Sequence, residues 1–144
     1  MSCTRRSLFK GMAALAVLPV VLPACAQQGS DLPQAKTSSC GSGTCIDLTD
    51  PVNAPLASVG GAMLFDIGSD TVMVIRSSST DVIALSAICT HAGCSMNFDA
   101  GRERLTCPCH GSEFTETGAV AVGPARQPLR VYTAAMANNM ITVG

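Results

Sequence analysis

Cys89-Thr90-His91-Ala92-Gly93-Cys94 and Cys107-Pro108-Cys109-His110-Gly111-Ser112 are the two stretches on which the reading of this chain turns. Both histidines of the protein lie in them, as do four of its eight cysteines. Each box offers one thiolate and one imidazole, as Cys-x-His in the first and Cys-x-x-His in the second, with fifteen residues between His91 and Cys107. Two loops that each give a soft sulfur and a nitrogen can build a binuclear iron centre. One iron takes two cysteines and the other two histidines, with two inorganic sulfides between them.

A Cys2His2 zinc site is the rival. Structural zinc modules usually group their ligands by type, a cysteine pair and then a histidine pair. Here the types are mixed within each box. Each box also holds a spare cysteine, Cys94 and Cys109, and a tetrahedral ion has no use for six candidate ligands.

The two boxes resemble those of Rieske [2Fe-2S] proteins, and the pair C-T-H-x-G-C and C-P-C-H-G-S is similar to the high-potential, cytochrome bc-type branch. The resemblance implies one [2Fe-2S] cluster per chain, with Cys89 and Cys107 on one iron and His91 and His110 on the other. It implies a Cys94–Cys109 disulfide joining the loops, and a loop at Gly123-Pro124-Ala125 that covers the cluster, stiffened by Pro124. It also places the Ser112 hydroxyl as a donor to a bridging sulfide. The sequence departs from that branch at three points. Phe114 stands where a tyrosine donates to a cysteine sulfur, Ala92 where a leucine is usual, and Arg126 where a second proline is common.

Outward from the boxes, short β-type runs recur between turns. Thr44–Leu48 alternates polar and apolar residues, Ala62–Ile67 and Thr71–Arg76 flank a Gly68-Ser69-Asp70 turn, and Val82–Ile88 is a continuous apolar run leading into the first box. Ser95–Phe98 and Arg104–Cys107 flank Asp99-Ala100-Gly101, Ser112–Thr115 leaves the second box, and Leu129–Met136 and Met140–Val143 flank Asn138-Asn139. No helical period is evident outside the N-terminal leader. With no tryptophan, one tyrosine and four phenylalanines, the core must be aliphatic. These features predict an all-β domain over 45–144, of stacked antiparallel sheets, with the cluster loops projecting from one end as a small subdomain.

Residues 1–26 read as an export signal. Arg5-Arg6 and Lys10 precede an apolar run from Gly11 to Ala26, a layout similar to a twin-arginine leader. Sixteen residues interrupted by Pro19 and Pro23 suit a membrane span poorly, since about 20 are needed. Leu22-Pro23-Ala24-Cys25 resembles a lipobox in which Cys25 is lipidated, while Ala24-Cys25-Ala26 equally fits cleavage by a signal peptidase; Cys3 is assigned no role. Residues 27–44 read as a flexible tether, closed by a small disulfide between Cys40 and Cys45 across a Gly/Ser loop. A second metal site there lacks histidines.

Setting aside Arg5, Arg6 and Lys10 leaves six bases against ten acids, a net charge of about −4. No basic stripe exists, which excludes a nucleic-acid partner; mild acidity suits encounter with a basic, cytochrome-like acceptor. Two imidazoles in place of two thiolates lift a cluster's potential into the range of roughly −150 to +300 mV, from about −400 mV for all-cysteine clusters. The absent tyrosine at Phe114 predicts an elevated but not maximal value.

The chain is thus expected to be an exported one-electron carrier on the periplasmic side of the cytoplasmic membrane. The resemblance implies the iron–sulfur subunit of a quinol-oxidising cytochrome bc-like complex, an electron-transfer subunit rather than a catalyst alone. Membrane association would come through lipid at Cys25 or a partner subunit. The alternatives are the small subunit of a periplasmic molybdenum oxidase of the arsenite oxidase type, or a free-standing carrier. A Rieske oxygenase would need a second iron site with two more histidines, and the chain has none to spare.

Overall fold

The computed structural model describes residues 29–41 and 43–144; the leader, Cys3 and Cys25 lie outside the described residues. Twelve strands form three four-stranded antiparallel sheets. β1 (Thr37–Cys40), β2 (Gly43–Asp47), β11 (Ala134–Ala137) and β12 (Met140–Val143) make an outer sheet in the order β1-β2-β12-β11. β3 (Ala62–Ile67), β4 (Asp70–Arg76), β5 (Val82–Ser86) and β10 (Val131–Tyr132) make a central sheet in the order β10-β5-β4-β3. β6 (Asn97–Asp99), β7 (Arg104–Thr106), β8 (Glu113–Thr115) and β9 (Val120–Val122) make the third, the tip sheet, in sequence order. The expected all-β architecture is observed.

The central sheet is apolar on both faces, which is why its strands read as continuous rather than alternating runs. Successive side chains point to opposite faces. Met63, Phe65, Val72, Val74, Val82 and Ala84 enter a core shared with Ile46, Ile141 and Val143 of the outer sheet. Leu64, Met73, Ile75, Leu85 and Ala87 enter a second core shared with Met96, Leu105 and Phe114 beneath the tip. Each fully buried aliphatic side chain contributes about 1.5–3 kcal/mol. The phase of β5 continues past its end: Leu85, Ala87 and then Cys89 fall on the tip face, so the first cysteine is delivered buried by the strand that precedes it.

Three expectations need correction. The first is the tether. Residues 34–41 belong to the folded domain: Leu64 N donates to Pro33 O at 2.9 Å, Ala35 N donates to Leu64 O at 2.7 Å, and β1 pairs with β2 from Thr37↔Ile46 to Cys40↔Gly43. Their polar composition reads as linker because β1 is an edge strand, almost fully exposed, and its ladder is made by the backbone. Fully buried Asn53 locks this segment down. Its Oδ1 accepts Lys36 N at 2.8 Å, and its Nδ2 donates to Lys36 O and Asp47 O at 3.0 and 2.9 Å.

Second, Pro51–Ala57 forms a 3-10 turn where no helical segment was expected; Asp50 caps it by accepting Val52 N at 3.0 Å. Third, Leu129–Met136 is not one strand. It splits at Thr133, β10 pairing with β5 and β11 with β12, so the chain changes sheets there. The Asn138-Asn139 turn is as expected, both residues having positive φ of 51° and 60°. Among the described residues, no helix is long and apolar enough to cross a membrane.

Candidate metal centre

The two boxes fold into the same loop. In the first, Cys89 N donates to Cys94 O at 2.8 Å and Gly93 N to Cys89 O at 2.9 Å; in the second, Cys107 N donates to Ser112 O at 2.8 Å and Gly111 N to Cys107 O at 3.0 Å. Both closures need a residue with left-handed backbone four places after the leading cysteine. Gly93 and Gly111 occupy it with φ of 73° and 75°. The shared spacing, Cys-x3-Gly-x, is visible in the sequence, and the matching backbone hydrogen bonds show it to be one loop used twice.

The match sets the side chains against each other. His91 and Cys109 hold equivalent places, as do Cys94 and Ser112. Cys94 and Cys109 form a disulfide across the two loops, with Cα atoms 6.5 Å apart. Cys89 and Cys107 are the free cysteines among the described residues, and they are 2% and 3% exposed. His91 and His110 lie at the surface with ring centroids 4.8 Å apart and planes perpendicular. Sulfur is therefore inside and imidazole outside.

Three sulfurs, those of Cys94, Cys107 and Cys109, lie within 4.8 Å of one another. Two of these are spent in the disulfide, so that group is not a donor set. The pair Cys89 and Cys107 is a better one. Burial pushes the Cys107 thiol above its usual range, and the neighbouring Cys89 thiol adds to this; the backbone N–H groups of Cys109 and His110, aimed at the sulfur, act the other way. A thiol so placed is costly to ionise alone, and a bound metal reverses that cost.

Ser112 is fully buried, and its Oγ accepts the Ala125 N–H at 3.0 Å. The hydroxyl proton is thereby left to donate. The same bond ties the second box to the segment carrying Pro124, while Thr90 Oγ1 donates to Gln127 O at 2.7 Å and ties the first. Neither link was legible beforehand, because each joins residues far apart in sequence. Phe114, beside Ser112, is fully buried and packs in the core under the tip, opposite Leu105. Cys40 and Cys45 form the second disulfide, at the far side of the domain between β1 and β2, with Cα atoms 5.8 Å apart.

Stacked antiparallel sheets that carry two like loops, with paired thiols within and paired imidazoles without, define a mixed-ligand iron–sulfur domain. The model of the Rieske [2Fe-2S] domain family matches residues 54–133, and the chain belongs to that family. The cytochrome b6-f complex iron–sulfur subunit of Chlorobaculum tepidum is 33% identical over 84 residues, 58% of this chain and 46% of that one. The chain thus spans about half the length of such relatives. The crystal structure of the plasma membrane Rieske protein of Synechocystis PCC 6803 matches with a TM-score of 0.55 and 34% identity, over 58% of this chain and 86% of that one. The ferredoxin of carbazole 1,9a-dioxygenase from Nocardioides aromaticivorans matches with a TM-score of 0.53 and 32% identity, over 60% and 86%.

The domain binds a [2Fe-2S] cluster, and the donor chemistry of this chain fits one. Two unspent buried thiols and two solvent-facing imidazoles, one of each per loop, are carried on loops of matched shape. A zinc site would have no need of this separation of sulfur from nitrogen.

Proposed function

We propose that this chain is an exported one-electron carrier in which Cys89 and Cys107 hold one iron and His91 and His110 the other. The observation that carries the reading is the pairing of two free, buried thiols with two exposed imidazoles, on loops braced by the Cys94–Cys109 disulfide. A [2Fe-2S] cluster bound there supplies a single-electron couple whose potential is raised by the neutral imidazoles.

The protein's own groups do the rest. Ser112, whose Oγ accepts the Ala125 N–H, would have its hydroxyl proton free to offer to a bound cluster, and the amides of Cys109 and His110 point at the Cys107 sulfur. Both sets of dipoles favour added negative charge, hence the reduced form. The segment at Pro124, held by the Ser112 and Thr90 bonds, keeps water from the sulfur side. Both imidazoles stand exposed at the tip, where a partner's electron-transfer group could approach them.

In the fuller reading, the chain serves as the iron–sulfur subunit of a quinol-oxidising cytochrome bc-like complex. It receives electrons from quinol and passes them to a cytochrome-like acceptor on the periplasmic side. The likeness to a cytochrome b6-f subunit supports this. The likeness to a dioxygenase ferredoxin, with a TM-score of 0.53 and 32% identity, supports a second reading as a free-standing carrier. Residues 1–26 would be the export leader in either case, with membrane attachment through a partner or lipid on Cys25.

The deciding experiment is a redox titration of the purified protein followed by low-temperature EPR. A rhombic signal after dithionite, with a midpoint well above that of all-cysteine clusters, is the expected result. Colourless protein without acid-labile sulfide would end the reading. A low midpoint would favour the free-standing carrier.

A further inference from the structure

We infer that Arg126 is a recognition residue for a carboxylate on the docking face of the protein's electron-transfer partner; the inference rests on the electron-carrier reading above. Six cations lie among the described residues, and five are engaged. Lys36 pairs with Asp50 at 2.6 Å, Arg102 with Glu113 at 2.9 Å, and Arg130 with Asp70 at 3.5 Å. Arg76 donates to the carbonyls of Ser78 and Ser79 at 2.7 and 2.6 Å, and Arg104 to that of Glu103 at 3.0 Å. Among the described residues, Arg126 is the one cation with neither a hydrogen bond nor an ion pair.

Its place makes that freedom meaningful. Arg126 follows buried Ala125, whose N–H is held by Ser112, so its backbone is fixed from below while the side chain is exposed. With Thr90, His91, Pro124 and Gln127 it lines a depression of about 370 Å³ that opens beside the exposed imidazole of His91. Among the described residues, the one uncommitted positive charge therefore stands where an electron would leave or enter.

The domain as a whole carries about −4, and its long-range field favours a basic partner. At contact distance Arg126 reverses the sign. A planar guanidinium takes a carboxylate in two-point contact, which fixes register as well as attraction. A partner surface that is basic overall, with a carboxylate opposite Arg126, satisfies both fields. An anionic membrane surface does not, because such binding needs several clustered basic residues.

Salt concentration separates the local charge from the net charge, since the Debye length is about 10 Å at 0.1 M and about 30 Å at 0.01 M. The reduced protein is oxidised in stopped flow by ferricyanide, a trianion, and by tris(phenanthroline)cobalt(III), a trication; each takes one electron. At 0.1 M salt, Arg126→Gln should lower the ferricyanide-to-cobalt rate ratio about threefold, while Lys36→Gln, which removes the same charge elsewhere, leaves it unchanged. Arg126→Lys should restore most of the ratio.

Calorimetric titration with redox-inert hexacyanocobaltate should show binding that weakens in Arg126→Gln alone. Equal ratios in Arg126→Gln and Lys36→Gln, or hexacyanocobaltate binding that ignores Arg126, would overturn the assignment. So would sedimentation with phosphatidylglycerol vesicles that depends on Arg126, which would point to a lipid headgroup. Protein that binds hexacyanocobaltate through Arg126 but lacks the EPR signal would instead break the electron-carrier reading and leave the anion contact standing.

Discussion

The base of the domain and its tip are held together by different means. Between the outer and central sheets, Ile46, Met63, Phe65, Val72, Val74 and Ile141 are 2% exposed or less, and the Cys40–Cys45 disulfide of the base lies at its β1–β2 edge rather than between the two sheets. At the tip the strands are three residues long, and both imidazoles lie outside. There the order comes from a disulfide, two glycine-closed loops and the two bonds from Ser112 and Thr90. The lesson concerns what each region must do. The base need only be stable, whereas the tip leaves both imidazoles exposed and so cannot bury its whole surface. Above the core of Met96, Leu105 and Phe114 it adds covalent and polar constraint to hydrophobic packing.

The sharpest way to break this contrast is to remove a donor. Cys107→Ser should abolish the visible absorbance and the EPR signal outright, yet leave the β-sheet circular dichroism largely in place, because the base core lacks any contribution from Cys107. A global loss of sheet signal would show that the two regions fold as one. The reverse cut is Phe65→Ala, which opens a cavity in the base core and should cost about 3–5 kcal/mol in denaturant unfolding. The EPR line shape of the folded fraction should not move.

Next comes the disulfide. Its cysteines are 15 residues apart, for which the chain-entropy contribution is about 3 kcal/mol. The double variant Cys94→Ser with Cys109→Ser should lose the cluster faster on exposure to a chelator, with unfolding of the base little changed. Smaller again is Ser112→Ala. Loss of one hydrogen bond that favours the reduced form, worth about 1 kcal/mol, should lower the midpoint by about 40 mV in the loaded protein. An unchanged midpoint would show that the Ser112 proton is aimed elsewhere.

The same contrast explains what could be read from sequence. β3, β4 and β5 were legible because a strand buried on both faces must be apolar throughout, and β12 because a two-asparagine turn precedes it. β1 and β9 were not, since β1 is an exposed edge strand of Thr, Ser and Cys and β9 is only three residues long. The break at Thr133 depends on which sheet supplies the partner, a non-local fact. At the site, the motif residues could be named but their brace could not. Nothing near Ser112 in the sequence points to Ala125, and nothing near Thr90 points to Gln127.

The least of the expected effects tests whether the tip also tolerates electrostatic strain that the base would not. The register Arg104↔Thr115 between β7 and β8 carries Glu116 toward Glu103 just beyond the ladder. Burial raises the Glu116 carboxyl above its ordinary range, the Glu103 charge raises it further, and Arg104 only partly opposes them. The folded chain therefore holds this proton more tightly than the unfolded one. Stability from this group is complete at pH values below the unfolded carboxylate range, and it falls as pH rises through that range to the raised folded value. Glu116→Gln should accordingly melt higher than the parent at pH 7, by no more than about 3 °C, and equal it near pH 3. A gain that persists at pH 3 would mean the substitution acts through packing, and the tip would then be as free of charge strain as the base beneath it.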